Sequence, residues 1–580
     1  MKKNSKILLT IFFAAVAVVC LALYLPFIQS ALIALVERLK NDDIRDAFWK
    51  QQMIAASTCG LLFVAAFVSV LWTDKGMSIF NNLIACVKNE ASYIVKNKKY
   101  FIFLAALYFL GYFTIIINNF CYISADELPR QMEGYRHWVT WFRYIDEIGS
   151  IFIHTTPRLL DIAPLTQFIA IFFVALASFL TVQAASFGSM TYLACFASLP
   201  IGLIPYFMAD VAYRYDSPYM AFSIFACVIP FVFRKETSTF VITSFLGLLT
   251  MCMSYQASNG IYIILSAFFA LKMIQDNESW KKILKFLAIC MACYIVSLVF
   301  FKLTFIGDDY NPGRLDERMQ AGNILKNAIQ YITLIWQGLG KSGLKMLMLL
   351  SIALNLFIQA YFSKRNKVLT FVFILLFYVL TIPLSFGAYL AMNQPLWHPR
   401  AMYGIGFFLA IVLIMLRQSA LNANKFIARI SCVLIIATSY CCIVFCLAFG
   451  NAQFTQNQYA EYRVKLIAND LSKIIPQQNN DKALDIAFAN ELDFAPAVKN
   501  LIRTYPLAAD LVDKHAAEGA CNLEILKSLG FLEFEGDKEN NSTQYDSLPV
   551  LVETSFHKIQ GQDNIYYITY KTDPVKVADY

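Results

Sequence analysis

Long apolar runs recur along most of this chain and constrain its fold more than any other feature. An α-helix of roughly 20 apolar residues spans the hydrocarbon core of a bilayer, and thirteen runs between residues 7 and 449 approach that length. Hydrophobic residues make up 58% of the chain and charged residues 15%, whereas soluble proteins carry about 25% charged residues. The sequence therefore predicts an α-helical polytopic membrane protein with about 13 transmembrane helices.

The positions of Lys and Arg predict the orientation of these spans. Basic residues are enriched in the cytoplasmic loops of membrane proteins. Here they stand in the N-terminal MKKNSK, in KNKK at 96–99, at Arg234–Lys235 and at Lys364–Arg365. We expect a cytoplasmic N-terminus, with the first apolar run kept as a span rather than removed as a signal peptide. The net charge of +8 has the same explanation, and no basic stripe indicates a nucleic-acid partner.

The composition changes to that of a soluble protein near residue 451. A helical pattern over Tyr459–Ile475 is followed by two strand-like segments, ALDIAFAN at 483–490 and NIYYITYKT at 564–572. About 130 residues are enough for a small α/β core. We therefore divide the chain into a transmembrane domain, 1–450, and a C-terminal α/β domain, 451–580, which thirteen spans place on the outer side.

Most of the 14 cysteines lie inside apolar runs, as Cys290, Cys293 and Cys446 do. Such cysteines are typical of helix packing rather than of disulfides or metal ligands. No CxxC pair lies in the polar loop that a zinc site requires. We expect no cofactor and no metal site, although this pattern does not exclude a divalent metal.

Residues 125–158 follow the third apolar run and begin with ADELPR, in which Asp126 and Glu127 are adjacent acids. Apolar side chains then recur every three or four positions, which predicts a helix with one apolar face lying along the membrane interface. A second such helix is predicted at 324–336. The apolar positions of the first are Tyr135, Trp138, Phe142, Ile145, Ile148 and Phe152.

The outer loops collect most of the charged residues that could carry chemistry. A carboxylate beside the membrane can act as general base toward a sugar hydroxyl, and the planar fork of arginine pairs bidentately with phosphate oxygens. An outer pocket for a lipid phosphate would use both. The candidates are Asp126, Glu127, Arg130, Arg143, Arg158, Asp161, Arg214, Asp216, Arg314, His398 and Arg400.

Simpler structural roles compete with these assignments. A single loop arginine often anchors a membrane protein at lipid headgroups. Asp161, in LLDIAPL, has the position of a helix cap. Asp216 would cap the sixth span or pair with Arg214, and His398 beside Pro399 has the pattern of a structural residue.

Several segments together resemble the GtrII-type glucosyltransferases. ADELPR, GYRHW and FRYI resemble that family's DD-x-x-R, GY-x-x-W and GR motifs, in this order. LLDIAPLTQ is similar to the family's entry to the next span, and YRYDSPYMAF is similar to its YDS loop. MSYQASNGIY and HPRAM resemble two later loops, so that the resemblance covers roughly residues 100 to 450.

The resemblance implies a GT-C-like membrane glycosyltransferase with periplasmic interfacial helices. Such an enzyme moves glucose from undecaprenyl-phosphate-glucose to lipid-linked O-antigen, in the periplasmic leaflet of the bacterial inner membrane. Its partners would be a polyprenyl-phosphate glucose synthase, a flippase and membrane lipid. The C-terminal domain would then be periplasmic.

The resemblance also assigns roles to individual residues. Asp126 matches the first carboxylate and would be the general base, whereas Glu127 replaces the commoner second Asp. Arg143 matches the Arg of the GR motif, with Phe142 in place of Gly. Arg400 would reach the donor phosphate. The other substrate-binding candidates are Arg130, Tyr135, Trp138, Arg214 and Asp216.

Three other functions stay open at this point. The chain could transfer another polyprenyl-phosphate sugar to a different cell-envelope glycan, because the sequence does not identify the sugar. It could be a flippase or transporter of lipid-linked sugars, but transporters place polar broken helices near the bilayer midplane in repeated halves, and no repeat is evident here. A sensor would need a cytoplasmic output module, for which the inner loops are too short.

Overall fold

The computed structural model describes residues 3–39, 46–121, 127–186, 190–306, 319–421, 424–475, 484–513, 520–530 and 547–571. The fold is mainly helical, as predicted. The helices of the first half are α1 Lys3–Ala22, α2 Pro26–Leu39, α3 Asp46–Trp72, α4 Asp74–Lys96, α5 Lys98–Asn118, α6 Glu127–Glu133, α7 Tyr144–His154, α8 Leu165–Ala185, α9 Tyr192–Ser198, α10 Pro200–Leu203, α11 Met208–Ala212, α12 Ser217–Val232, α13 Thr237–Cys252 and α14 Asn259–Gln275.

The second half continues with long helices and ends in a small sheet. Its helices are α15 Trp280–Phe301, α16 Asn323–Gly338, α17 Gly343–Tyr361, α18 Lys367–Leu384, α19 Gly404–Ala420, α20 Lys425–Ile474, α21 Pro496–Thr504, α22 Ala508–Leu511 and α23 Ala520–Ser528, and its strands are β1 Asp485–Phe488, β2 Val550–Glu553, β3 His557–Gln562 and β4 Ile565–Tyr570. Short 3₁₀ turns occupy Trp138–Trp141, Pro205–Phe207, Gln256–Ser258, Gly387–Ala391 and Pro399–Ala401.

The described residues contain 8 helices that are long and apolar enough to cross a membrane, or up to 10 if each of two bent pairs is one span. One bent pair, Tyr192–Leu203 with Pro205–Ala212, turns by 51°. Shorter apolar helices, α12, α13 and α19, lie where further spans are predicted. The prediction of a polytopic helical membrane protein is therefore confirmed, while the count of thirteen spans stays a prediction.

Helix α19 lies at the centre of the bundle. Its residues from Gly404 to Leu416 are all buried, which is typical of a helix that is apolar on every side and surrounded by other helices. It packs against α9, α10, α17 and α20. Gly406 permits the contact with α10, because a Cβ at this position would lie 2.5 Å from the backbone oxygen of Pro200.

Hydrogen bonds join the loops that the sequence assigns to the outer side of the membrane. The Arg214 side chain donates to the backbone oxygen of Asn119 (3.1 Å), and the backbone nitrogen of Ile145 donates to Met253 (3.1 Å). The predicted inner loops contact one another in the same way, since the backbone nitrogen of Lys364 donates to the oxygen of Gln275 (2.9 Å). Loops that are distant in the chain therefore contact one another within each of the two sets, while the side of the membrane on which each set lies stays a prediction.

Residues 125–158 do not form the single helix that the apolar spacing predicts. Residues 122–126 lie outside the described residues, and the rest consists of α6, the 3₁₀ turn Trp138–Trp141 and α7. Left-handed conformations at His137 (φ 55°) and Phe142 (φ 57°) separate these pieces. As a result, the Trp138 side chain faces the protein interior and is fully buried, whereas Phe152 on α7 is 77% exposed. The prediction was wrong because these apolar side chains face different surroundings.

The predicted helix at 324–336 is confirmed as α16. Its two faces differ, as expected for an amphipathic helix. Tyr331 is fully buried, whereas Leu325 and Ile329 are exposed. Its position at the membrane interface stays a prediction.

The C-terminal region contains the predicted strands at 483–490 and 564–572 as β1 and β4. The strand order is β1-β4-β3-β2, with β1 parallel to β4 and the other pairs antiparallel. The sheet shares a core with α23 and with Val464, Ile467 and Leu471 of α20. Since α20 runs without a break through residue 450, the predicted boundary between 1–450 and 451–580 falls inside one helix. The division into two domains stays a prediction.

Candidate active site at one end of the helical bundle

A cluster of buried and half-buried charged residues lies where the predicted outer loops meet. It contains Glu127 and Arg130 from α6, Arg143, Arg214, Asp216 and Arg400 from later loops, and two acids that the sequence analysis did not select. Two predicted candidates, Asp126 and Arg314, lie outside the described residues. Arg158 is exposed, and the cluster is built from the others.

Asp216 is the most completely paired acid of the cluster. Its Oδ2 atom lies 2.7 Å from Nη1 of Arg130, and its Oδ1 atom accepts a hydrogen bond from Trp138 Nε1. Arg143 Nη1 lies 3.7 Å from the same Oδ1. Burial alone would raise the pKa of Asp216, but the two guanidinium groups and the Trp138 bond outweigh it and hold the pKa below its usual value. Asp216 is therefore ionised at neutral pH.

Neither structural role predicted for Asp216 is found. Asp216 occupies the N-cap position of α12, but its side chain makes no capping hydrogen bond. Its partners are Arg130, Trp138 and Arg143, and not Arg214. The contacts with Arg130 of α6 and with Trp138 decide the orientation of the Asp216 side chain. These residues are far from Asp216 in the sequence, so the sequence does not indicate the contacts.

Arg214 joins three segments of the chain. Its Nη1 atom lies 2.5 Å from Oδ2 of Asp161, and its Nη2 atom donates to the backbone oxygens of Asn119 and Phe120. Its backbone nitrogen donates to Glu127 Oε2 (2.9 Å). Asp161 was predicted to cap the following helix, but α8 begins only at Leu165 and the Asp161 carboxylate pairs with Arg214 instead.

Glu127 is fully buried at the start of α6. Its Oε1 atom has no hydrogen-bond partner among the residues that the structure describes. Burial, assisted by the negative charge of Asp216, raises the pKa of Glu127 to about 8 against the opposing charges of Arg130 and Arg214. Most Glu127 side chains therefore carry a proton at neutral pH.

Arg143 and Arg400 both lie near Tyr255. The Arg143 guanidinium is 4.8 Å from the centre of the Tyr255 ring, and the Tyr255 hydroxyl donates to the backbone oxygen of Arg400 (3.2 Å). The Arg400 guanidinium lies 5.0 Å from the Tyr213 ring. Both positive charges thus act on Tyr255 and on Asp210, an arrangement suited to an anion such as phosphate.

The remaining predicted residues have supporting positions. Trp138 packs under the Arg130 guanidinium at 5.0 Å in addition to its bond with Asp216. Tyr135 packs against the ring of His137 at 4.8 Å. His398 Nδ1 accepts from the backbone nitrogen of Arg400 (3.3 Å), which caps the turn that carries this arginine.

Two buried acids, Asp146 and Asp210, were missed by the sequence analysis. Asp146 lies on α7, and burial raises its pKa well above the usual range despite the nearby charge of Arg143. Asp210 lies on α11 and is fully buried. Its position in the apolar run PYFMADVAY was a usable signal, because an ionisable residue within a membrane segment is costly and most often functional.

Comparison with known proteins gives one match. The model of a family described as Glucosyl transferase GtrII matches residues 113–411, slightly more than half of the chain. No curated protein and no solved structure matches. The matched range contains every residue of the buried cluster.

Proposed function

Because the chain belongs to the GtrII glucosyl transferase family and is therefore a glycosyltransferase, we propose that it moves glucose from undecaprenyl-phosphate-glucose to lipid-linked O-antigen. The observation that carries this proposal is the convergence of four arginines and several carboxylates, from separate loops, in one buried cluster at the end of a helical bundle. A lipid-phosphate donor requires cationic groups for its phosphate and a base for the acceptor hydroxyl.

Arg143 and Arg400 are the best placed groups for the donor phosphate. Arg130 and Arg214 are each held by a close carboxylate, at 2.7 Å and 2.5 Å. Arg143 lies farther from its acid, at 3.7 Å, and packs on the Tyr255 ring, and the Arg400 guanidinium packs on the Tyr213 ring. Phosphate oxygens placed between them would gain charge-assisted hydrogen bonds. As the phosphate leaves, these bonds stabilise its developing charge without a metal ion.

Asp126 is the proposed general base. It directly precedes Glu127 in the chain and matches the first carboxylate of the family motif. In the reaction, the acceptor hydroxyl gives its proton to Asp126 while its oxygen forms a bond to the anomeric carbon. The bond from that carbon to the phosphate oxygen breaks, and undecaprenyl phosphate leaves with the electron pair, so the anomeric configuration inverts.

Pairs of oppositely charged residues hold this machinery in place. Asp216 fixes Arg130, Trp138 and Arg143 through three contacts. Arg214 fixes the end of α5 and the loop before α8. Groups whose rotamers are locked by such partners keep the reacting groups in one geometry, as catalysis requires.

The positive-inside pattern supports a reaction on the periplasmic side of the bacterial inner membrane. The N-terminus would be cytoplasmic and the C-terminal region periplasmic. The architecture would be that of a GT-C-like enzyme with thirteen spans, in which α6, α7 and α16 lie along the outer interface. A polyprenyl-phosphate glucose synthase and a flippase would supply the donor.

The proposal is tested by transfer of radiolabelled glucose from polyprenyl-phosphate-glucose to lipid-linked O-antigen, comparing the wild type with Asp126→Asn. We expect transfer to fall about 10²- to 10⁴-fold, because the amide cannot accept the acceptor proton, while donor binding is kept. Asp470→Asn is the matched control, since Asp470 pairs with Lys473 and His557 near the C-terminal sheet. Comparable rates in Asp126→Asn and wild type would contradict the assignment of the base.

A further inference from the structure

Asp210 occupies an unusual position on α11. The preceding span is bent by 51°, and the 3₁₀ turn Pro205–Phe207 leads from the bend into α11. This path places Asp210 against the turn that carries Arg400, because α11 packs on Pro399–Ala401. The bend therefore brings a carboxylate from the middle of an apolar sequence to the buried cluster.

No other residue that the structure describes donates a hydrogen bond to the carboxylate of Asp210. The residue is fully buried, and neither oxygen has a hydrogen-bond partner among the residues that the structure describes. The nearby hydroxyl of Tyr255 donates to Arg400, and that of Tyr403 is bonded to Ser258 (2.6 Å). A buried carboxylate that lacks donors is strongly unfavourable unless another group supplies them.

The charges around Asp210 indicate what kind of group is missing. Arg400 and Arg143 attract this carboxylate, and Asp216 repels it. Two guanidinium groups beside the site disfavour a metal cation. They favour a ligand that carries an anion next to neutral hydrogen-bond donors. A sugar phosphate has this character, because its ring hydroxyls can donate to a carboxylate while its phosphate binds arginine.

Asp216 provides the contrast within the same cluster. Its oxygens are taken by Arg130, Trp138 and Arg143, so it holds protein groups in position. Asp210 has the same chemistry and comparable burial, but both of its oxygens are without hydrogen bonds inside the described structure. The two acids therefore have different roles.

We propose that Asp210 accepts hydrogen bonds from the ring hydroxyls of the transferred sugar and so recognises the glycosyl part of the donor. This inference rests on the proposed function and adds a subsite to it. In this arrangement Arg143 and Arg400 bind the phosphate, and Asp210, which lies near both arginines and near Tyr255 and Tyr403, binds the hydroxyls of the sugar.

The test compares the binding of two lipids, short-chain polyprenyl-phosphate-glucose and the same polyprenyl phosphate without sugar. Asp210→Asn is expected to weaken binding of the glucosylated lipid about 10- to 100-fold, the effect of leaving a buried hydrogen-bonding group without its partner. Binding of the bare phosphate should change little. Asp470→Asn, remote from the cluster, should leave both affinities unchanged.

A second measurement uses the wild type as well, so that it does not depend on the folding of a variant. Donors that lack one hydroxyl of glucose are compared by kcat/KM. At least one deoxy donor should lose about 10-fold or more with the wild type, and Asp210→Asn should be insensitive to that deletion.

Three results would overturn the proposal. If Asp210→Asn lost affinity for both lipids to the same extent, Asp210 would only position the arginines. If the kcat/KM of the wild type were the same for every deoxy donor, no buried acceptor would form hydrogen bonds with the sugar hydroxyls. If the wild type binds neither lipid, the proposed function itself fails, and the inference fails with it.

Discussion

Asp216 and Glu127 differ in protonation although both are buried. Asp216 has two arginines and an indole as partners, and these stabilise its charged form more than burial destabilises it. Glu127 receives one backbone hydrogen bond from Arg214, and it lies near the negative charge of Asp216. Burial therefore decides the state of Glu127, and partners decide the state of Asp216.

This difference predicts how stability depends on pH. The pKa of Glu127 is about 8 in the folded protein, against 4.5 as its ordinary value. Between these values the folded state holds a proton that the unfolded state has lost, so the contribution of Glu127 to stability declines as the pH rises through this window. In Glu127→Gln the side chain is always neutral, and we expect this part of the decline to disappear.

The measurement is thermal unfolding in detergent from about pH 5 to about pH 9. The Tm of the wild type should fall relative to that of Glu127→Gln as the pH rises. Glu461→Gln is the control, because Glu461 is exposed beside Lys465 and should leave the profile of the wild type unchanged. Parallel profiles of wild type and Glu127→Gln would show that Glu127 is ionised throughout.

At the scale of elements, the contact between α19 and α10 fixes the path of the bent span. Gly406 lies against the backbone oxygen of Pro200 and the side chain of Ile204. An added methyl group would meet both at 2.5 Å, and a backbone oxygen cannot rotate away. We therefore expect Gly406→Ala to push α10 away from α19 and to displace Asp210 on α11.

The expected result is a lower Tm and reduced glucose transfer in Gly406→Ala, because overpacking a tight core typically costs about 1–3 kcal/mol. Gly343→Ala is the matched control. Its nearest neighbour would be Cys441 Sγ at 3.8 Å, and alanine is a better helix former than glycine. Equal Tm values for Gly406→Ala and the wild type would contradict the close packing of α19 on α10.

The sequence predicts elements well where one environment surrounds them. Apolar runs such as the one that forms α5 lie in an apolar surrounding along their whole length, and the strand-like segment at 564–572 belongs to one small sheet. Residues 125–158 were predicted incorrectly, since Trp138 turns inward to Asp216 while Phe152 points outward. Spacing along the chain does not contain that tertiary contact.

The candidate site shows the same limit. Charged residues near span ends identify Glu127, Arg143 and Asp216 as candidates from sequence. The pairing of Arg214 with Asp161, and of Arg130 with Asp216, depends on how separate loops meet. The candidates were charged residues of the predicted outer loops, and Asp210 is not among them because it lies in an apolar run that bends.

At the scale of the whole molecule, the C-terminal region packs directly against the part of the chain that holds the site. Leu128 of α6, which follows Glu127, belongs to the core formed by α20, α23 and the sheet. Asn457 of α20 donates to the backbone oxygen of Cys121, just after α5. The C-terminal region thus packs against α6, the helix that carries Glu127 and Arg130, which is a structural role that composition alone does not indicate.

The chain belongs to a glucosyl transferase family, and the buried arginines of the cluster support the proposal that its donor is a lipid phosphate. A nucleotide-sugar enzyme would hold its donor in another kind of site, commonly with glycine-rich loops for the phosphates. A flippase would move the donor lipid without transferring its sugar. Identifying the donor, and whether its sugar is transferred, therefore distinguishes the proposed function from a nucleotide-sugar enzyme and from a flippase.

The most direct measurement is the transfer of radiolabelled glucose to lipid-linked O-antigen by the purified protein in proteoliposomes. The donor is either radiolabelled polyprenyl-phosphate-glucose or radiolabelled UDP-glucose, and each is tested with and without excess chelator. The proposed function predicts that glucose is transferred from the lipid donor and not from UDP-glucose, and that the chelator does not reduce the rate of transfer. Transfer from UDP-glucose alone, or movement of the lipid donor across the bilayer with no transfer, would contradict the central claim. Loss of transfer with chelator, restored by Mg²⁺ or Mn²⁺, would contradict its metal independence.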